Sequence, residues 1–261
     1  MAEILPPVLL TIQGLSVLRG GRWILRDFDL EVRVREIVGI VGPNGAGKTT
    51  LLAAIAGQLR PQKGSIHLGR QEITRWPPHR RCRLGIVRTF QIPRPFPQMT
   101  VWENIAMARW FGRDRRPCQP AVKTEVLPLL DLVGLPRAKV ETLGKDLTLS
   151  EQRRLEVARA LAVRPQLLLL DEVAAGLSPK MVDQVAKLVL KLRKEGLTII
   201  IIDHFLNLVL DVSDQLVALD RGEKIVAGEP AEVIRHPEVV GAYLGTRRRG
   251  ATPGSPSGAS T

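Results

Sequence analysis

The chain alternates short apolar runs with stretches in which apolar residues recur every three or four positions, the pattern of strands interleaved with helices. Residues 36–41, 166–171 and 197–202 are apolar almost throughout, as in strands covered on both faces of a parallel sheet. Residues 28–33 instead set Phe28, Leu30 and Val32 against Asp29, Glu31 and Arg33, so one face meets solvent. Together with 8–13 and the glycine-bounded 64–69, they predict a small antiparallel sheet, with a turn at Gly20-Gly21. Residues 84–87, 214–219 and 224–226 are further expected strands.

Helices are expected at 51–56, ended by Gly57, and from 101, where Thr100 caps and Glu103 completes a capping box. Residues 126–135 read as a helix in which Pro128 marks a start or a kink. Helices also follow at 151–162, 179–195 and 230–235. In 179–195, Met181, Val185, Leu188 and Leu192 share a face before Gly196 ends the run. Pro93, Pro95 and Pro97 fix an extended loop ahead of a mostly helical insertion at 92–155.

The strand at 36–41 runs into Gly42-Pro43-Asn44-Gly45-Ala46-Gly47-Lys48-Thr49-Thr50, a G-x-x-x-x-G-K-T spacing between strand and helix. Glycines let backbone N–H groups curl around phosphates, and the helix N-terminus adds partial positive charge. Lys48 is expected on the β- and γ-phosphates and Thr49 on Mg²⁺. The expected fold is therefore α/β: a P-loop NTPase with a mostly parallel core, an antiparallel β subdomain and a helical subdomain. Residues 1–91 would carry the P-loop half and β subdomain, 92–155 the helical subdomain, 156–245 the second half of the core and a C-terminal helix, and 246–261 a disordered tail.

Hydrolysis further requires a metal-orienting carboxylate and a group to position water. Asp171-Glu172 closes the strand at 166–171. Asp171 is placed to hold Mg²⁺ and Glu172 to polarise the attacking water. Asp203-His204 repeats the pattern after 197–202, which makes His204 a candidate γ-phosphate contact.

Composition narrows the class. The 261 residues are 44% apolar and 25% charged, within the range of globular proteins, and no run is long enough to span a bilayer. Residues 1–7 have no basic region and no small-residue cleavage site, so export is not expected, and Cys82 and Cys118 lack metal-type spacing. A net charge of +12 gathers in Arg80, Arg81, Arg83, Arg88 and Arg94, in Arg113, Arg115 and Arg116, and in Arg247-Arg248-Arg249. No nucleic-acid-reading motif or aromatic platform accompanies it, so a membrane-proximal or solvated face is expected rather than a nucleic-acid partner.

The ordered set 42–49, Gln91, 147–153, 167–172 and His204 resembles the ATP-binding subunit of ABC transporters over about residues 8–245. Residues 87–91, 99–104, 152–161 and 171–179 are most similar to the ATPase subunits of branched-chain amino-acid uptake systems. The resemblance implies a RecA-like core and two such subunits sandwiching two ATP molecules head to tail. Gln91 would help ligate Mg²⁺ and signal to the permease, while 147–151 would meet the γ-phosphate held by the opposite subunit. The implied place is the cytoplasmic face of the membrane, beside permease subunits and, through them, a substrate-binding protein.

Three departures stand out. The family's Leu-Ser-Gly-Gly-Gln is here Leu147-Thr148-Leu149-Ser150-Glu151, which keeps the hydroxyl at Thr148 and loses both glycines; Ser150 and Glu151 complete the segment offered in trans. Arg19 stands where an adenine-stacking aromatic is expected, with Trp23 nearby, and Val173 replaces a proline. The chain's own site is complete while the segment it offers is altered, so in a heterodimer its own site would turn over and the opposite one would mainly hold ATP, whereas in a homodimer both sites would share the altered segment and turn over slowly. Two alternatives stay open: a regulatory ATP-binding subunit with a degenerate site, and an ABC-type ATPase acting on nucleic acid.

Overall fold

The computed structural model describes residues 6–89, 93–112 and 122–244, with backbone alone at 122–124. Gln91, the 113–116 and 247–249 arginines, Cys118 and the tail expected from 246 fall outside the described residues.

A first hairpin pairs β1 (Val8–Arg19) with β2 (Arg22–Arg33), and β3 (Ile37–Val41) leads through the glycine-rich loop into α1 (Lys48–Ile55). Next come β4 (Lys63–Leu68), β5 (Gln71–Glu72), α2 (Pro78–Arg83) and β6 (Ile86–Arg88). Three helices follow: α3 (Val101–Phe111), α4 (Val122–Val133) and α5 (Leu149–Ala162). The second half runs β7 (Leu167–Asp171), α6 (Pro179–Lys194), β8 (Thr198–Ile202), α7 (Leu206–Val212) and β9 (Gln215–Asp220). The described chain closes with β10 (Glu223–Gly228), α8 (Pro230–Val233) and α9 (Pro237–Leu244).

Two sheets result. The antiparallel one has the order β2-β1-β4-β5; the other is β10-β9-β3-β8-β7-β6, parallel except for β10. Every residue of β3, β7 and β8 is buried, which explains why their sequences are apolar without alternation. The two faces are nonetheless distinct. Leu168, Leu170, Ile199 and Ile201 join a core shared with α3 to α7, whereas Leu167, Leu169, Ile200 and Ile202 join one shared with α1 and the antiparallel sheet.

Local chemistry fixes the helix starts. Thr100 accepts from the Glu103 N–H while Glu103 accepts from the Thr100 N–H at 2.7 Å, so the expected capping box is present on α3. Thr148 and Glu151 form the same box on α5. Other limits differ from expectation. The strand expected at 84–87 is shifted to β6, since Leu84 caps α2. The helix expected from 126 begins at Val122 and continues through Pro128. The first hairpin is longer than its alternating parts, because Gly14 (φ 58°) takes a left-handed conformation where the register shifts between Ile12 and Leu15, and Asp27 (φ 45°) does so where it shifts between Leu15 and Val17.

This topology places the carboxyl ends of β3, β7 and β8 side by side, and the candidate residues lie on the loops that leave them.

Candidate active site

The loop after β3 is shaped by residues that only glycine satisfies. Gly42 has φ 150°, and a Cβ there would lie 1.9 Å from the Leu219 carbonyl oxygen. Gly47 has φ 108° and approaches the Ile24 carbonyl just before α1 begins at Lys48. Gly45 and Asn44 are exposed at the tip, Pro43 and Thr50 are half-buried, Ala46 is buried and Thr49 faces solvent. The Lys48 ammonium folds back on its own loop, donating to the Gly42 carbonyl at 2.6 Å and the Pro43 carbonyl at 3.0 Å. Burial lowers the Lys48 pKa, and the nearby charges of Glu172 and Asp171 oppose that shift. Lys48 and both acids therefore share one electrostatic neighbourhood.

Asp171 ends β7 and is buried. Its Oδ2 takes a hydrogen bond from Arg88 at 2.6 Å, and its N–H donates to Thr89 Oγ1 at 3.3 Å. The pair is enclosed, with Arg88 and Asp171 side chains only 8% and 2% exposed. Glu172 turns out of the strand with φ 54°, a left-handed conformation that costs energy for a residue with a side chain. Its N–H donates to the Ile202 carbonyl at 2.8 Å, so the turn is held against β8. His204, half-exposed beyond β8, lies with Nε2 2.9 Å from Glu172 Oε1. Asp203 ties the two loops together, accepting from Ala174 N–H at 2.9 Å and Phe205 N–H at 3.0 Å.

Among the described residues, Asp171 Oδ1 and Glu172 Oε2 are buried without a hydrogen-bond partner. Two orphaned carboxylate oxygens near the phosphate-binding loop fit a hard divalent metal with oxygen donors, and the Thr49 hydroxyl is a further oxygen donor of the same kind. The expected third protein ligand, Gln91, lies outside the described residues. The role of Arg88 was not visible in the sequence. It follows from the β6–β7 register, which pairs Arg88 with Leu169, two residues before Asp171.

The segment 147–151 stands apart. Thr148 caps α5, and its hydroxyl is engaged with Glu151 Oε2 at 3.0 Å and with the Glu151 N–H at 3.3 Å. Glu151 also meets Lys139 at 3.2 Å, and the Thr148 N–H bond is the main reason its carboxyl is held below the usual range. Leu149 is 58% exposed, and Ser150 follows it at the helix start. Among the described residues, no hydrogen bond joins this segment to 42–50. A cavity of about 290 Å³ between α5 and α6 is lined by Ser150, Glu172 and apolar Leu170, Val173, Met181 and Leu188, and by no residue of the glycine-rich loop. Arg19 pairs with Arg22 at the exposed hairpin tip. Trp23 sits opposite Leu18, with the Lys63 ammonium 5.8 Å from its ring centre.

Comparison with known proteins is consistent with this geometry. The model of the ABC transporter family matches residues 25–175. The chain is 36% identical over 250 residues to the high-affinity branched-chain amino acid transport ATP-binding protein LivG of Salmonella typhimurium, covering 91% of this chain and 98% of LivG. It is also 36% identical over 241 residues to the lipopolysaccharide export system ATP-binding protein LptB of Acidithiobacillus ferridurans, covering 91% and 97%. Among solved structures it is similar to the ADP conformation of MJ1267, an ATP-binding cassette of an ABC transporter. The TM-score there is 0.82 at 28% identity, over 91% of this chain and 99% of that one.

Proposed function

This chain belongs to the ABC transporter family as an ATP-binding, ATP-hydrolysing subunit, and from that premise we propose that it energises a membrane importer for branched-chain amino acids or similar small polar solutes. The observation that carries the hydrolytic reading is the convergence of Lys48, Asp171, Glu172 and His204 at neighbouring strand ends. Among the described residues no helix is long and apolar enough to cross a membrane. The transmembrane path belongs to permease partners in this reading, with the chain docked on them at the cytoplasmic face and a substrate-binding protein acting through them.

Each residue's task follows from its place. The loop 42–50 wraps the triphosphate with backbone N–H groups at the start of α1. Lys48 exchanges the Gly42 and Pro43 carbonyls for β- and γ-phosphate oxygens, trading neutral acceptors for charged ones. Thr49, Asp171 and Gln91 are the proposed ligands of Mg²⁺, which when bound neutralises charge building on the phosphates. Arg88 holds only Asp171 Oδ2, so the orphaned Oδ1 is the oxygen left for the metal. Glu172 accepts the proton of the attacking water, and its left-handed backbone and the Ile202 hydrogen bond keep that carboxylate turned out of the sheet. His204 Nε2, 2.9 Å from Glu172 Oε1, orients that carboxylate, and His204 is the proposed γ-phosphate contact.

A second subunit completes each site, with its Thr148, Ser150 and Glu151 facing the γ-phosphate across the dimer. Two features weaken that contribution. The Thr148 hydroxyl is engaged inside a capping box, and the Glu151 carboxylate occupies the helix N-terminus where a phosphate would approach. In a heterodimer the two sites would then be unequal, and in a homodimer both would share the weakened segment.

Equal identity to LivG and LptB leaves the cargo to be decided by experiment, and the four resembling stretches favour uptake. Radiolabelled leucine uptake should fall in cells whose copy carries Lys48→Ala and return with the wild type. Normal uptake with impaired lipopolysaccharide delivery would replace import by export. Phosphate release that is absent even with the permease would favour the regulatory alternative, and a salt-sensitive shift of duplex DNA would favour the nucleic-acid one.

A further inference from the structure

Gly42, the first residue of the phosphate loop, is held from three sides. Its carbonyl accepts from Lys48 at 2.6 Å, and the space where a Cβ would stand is filled by the Leu219 carbonyl. Its N–H donates to the Tyr243 hydroxyl at 2.9 Å, across 201 residues of sequence. Tyr243 is the single tyrosine of the chain and stands near the end of α9. That helix is anchored, with Val239 buried in the core it shares with the sheet. Burial pushes the Tyr243 phenol up, and the Gly42 bond partly offsets this, so the hydroxyl is neutral at physiological pH.

The Tyr243 contact has no part in the catalytic steps above. It matters because glycine has no side chain to restrain its own dihedrals, so the peptide leading into Gly42 keeps its direction only through outside partners. When Lys48 leaves Gly42 for phosphate, the Tyr243 hydrogen bond and the Leu219 contact are the two partners left to hold the residue. We propose that Tyr243 is a positioning residue for nucleotide binding: its hydroxyl fixes the start of the phosphate loop, and α9 thereby senses whether Lys48 is bound to the loop or to phosphate. This rests on the reading of 42–50 as the phosphate cradle.

Because Tyr243 is the one tyrosine, biosynthetic 3-fluorotyrosine gives a single ¹⁹F resonance from the full chain. Saturating ADP or a non-hydrolysable ATP analogue should shift that resonance. Tyr243→Phe keeps the ring and removes one neutral hydrogen bond, so KM for ATP should rise about three- to tenfold, with kcat within about twofold. A role in packing alone would lower thermal stability without that split. A wild-type KM in Tyr243→Phe, a fall in kcat at unchanged KM, or a fluorine signal unmoved by nucleotide that equilibrium dialysis shows to be bound overturns the proposal. Wild-type protein that takes up no nucleotide in the dialysis removes the phosphate-cradle reading itself, and the role of Tyr243 with it.

Discussion

The enclosed Arg88–Asp171 pair makes a demanding prediction, because its two charges are nearly sealed from water at 8% and 2% side-chain exposure. Arg88→Met keeps most of the side-chain length and removes the charge, leaving Asp171 facing the protein interior without its cation. Removing one partner of a buried pair costs roughly 3–5 kcal/mol, since the remaining charge loses its compensation. At about 2–4 °C per kcal/mol for a chain of this order of size, the melting temperature in EDTA should fall by roughly 6–20 °C. Asp171→Asn removes the other charge, and the double variant should recover part of the loss, giving a coupling of at least about 1.5 kcal/mol. Mg²⁺ with ATP should narrow the Arg88→Met deficit, because a cation then stands by Asp171 again. Thermal unfolding followed by circular dichroism, with and without Mg²⁺ and ATP, reads all three. Single losses that add within about 0.5 kcal/mol, or an Arg88→Met loss below about 1 kcal/mol, would refute the reasoning.

Three further outcomes follow from other contacts. The buried Arg81 guanidinium donates to the Ala54 and Ile55 carbonyls at 2.7 and 2.8 Å and to Thr74 and Trp76 carbonyls, capping the C-terminal end of α1. Arg81→Met should therefore cost about 2–4 kcal/mol in a urea titration, and Arg81→Lys should restore only part of it. Glu151→Gln should increase phosphate release by the assembled complex, by removing an anion from the α5 N-terminus. The Glu151 carboxyl is held low in the folded chain, so its stability contribution is present above the unfolded value of about 4.3 and is lost as pH falls through the lower folded value. The stability difference between wild type and Glu151→Gln should vanish there. Gly42→Ala forces a Cβ to within 1.9 Å of the Leu219 carbonyl at φ 150°, and nucleotide binding by equilibrium dialysis should be lost.

Much of this molecule was legible because its central strands and loop obey local rules. β3, β7 and β8 are continuous apolar runs because both faces are covered, and the glycine-rich loop carries its spacing openly. The capping boxes of α3 and α5 were equally local, although only the first was expected. The first hairpin was read short because Gly14 and Asp27 interrupt its alternation with left-handed residues. Helix α2 went unseen because its one buried residue is Arg81, so no apolar stripe marks it. The long-range partners were out of reach for a different reason. Arg88 meets Asp171 only through the parallel register of β6 and β7, and Tyr243 meets Gly42 only after the whole sheet has closed. Local sequence carried the groups proposed to do the chemistry, while the groups that hold them came from topology.

Glu172 is the residue on which the proposed hydrolysis turns. Its carboxylate, turned out of β7 and joined to His204, is assigned the proton of the attacking water. Steady-state phosphate release by the permease-bound assembly should fall about 10²- to 10⁴-fold in Glu172→Gln, the range for loss of a general base, while ATP binding by equilibrium dialysis is retained. Hydrolysis within a few-fold of wild type, at equal ATP occupancy, would contradict it.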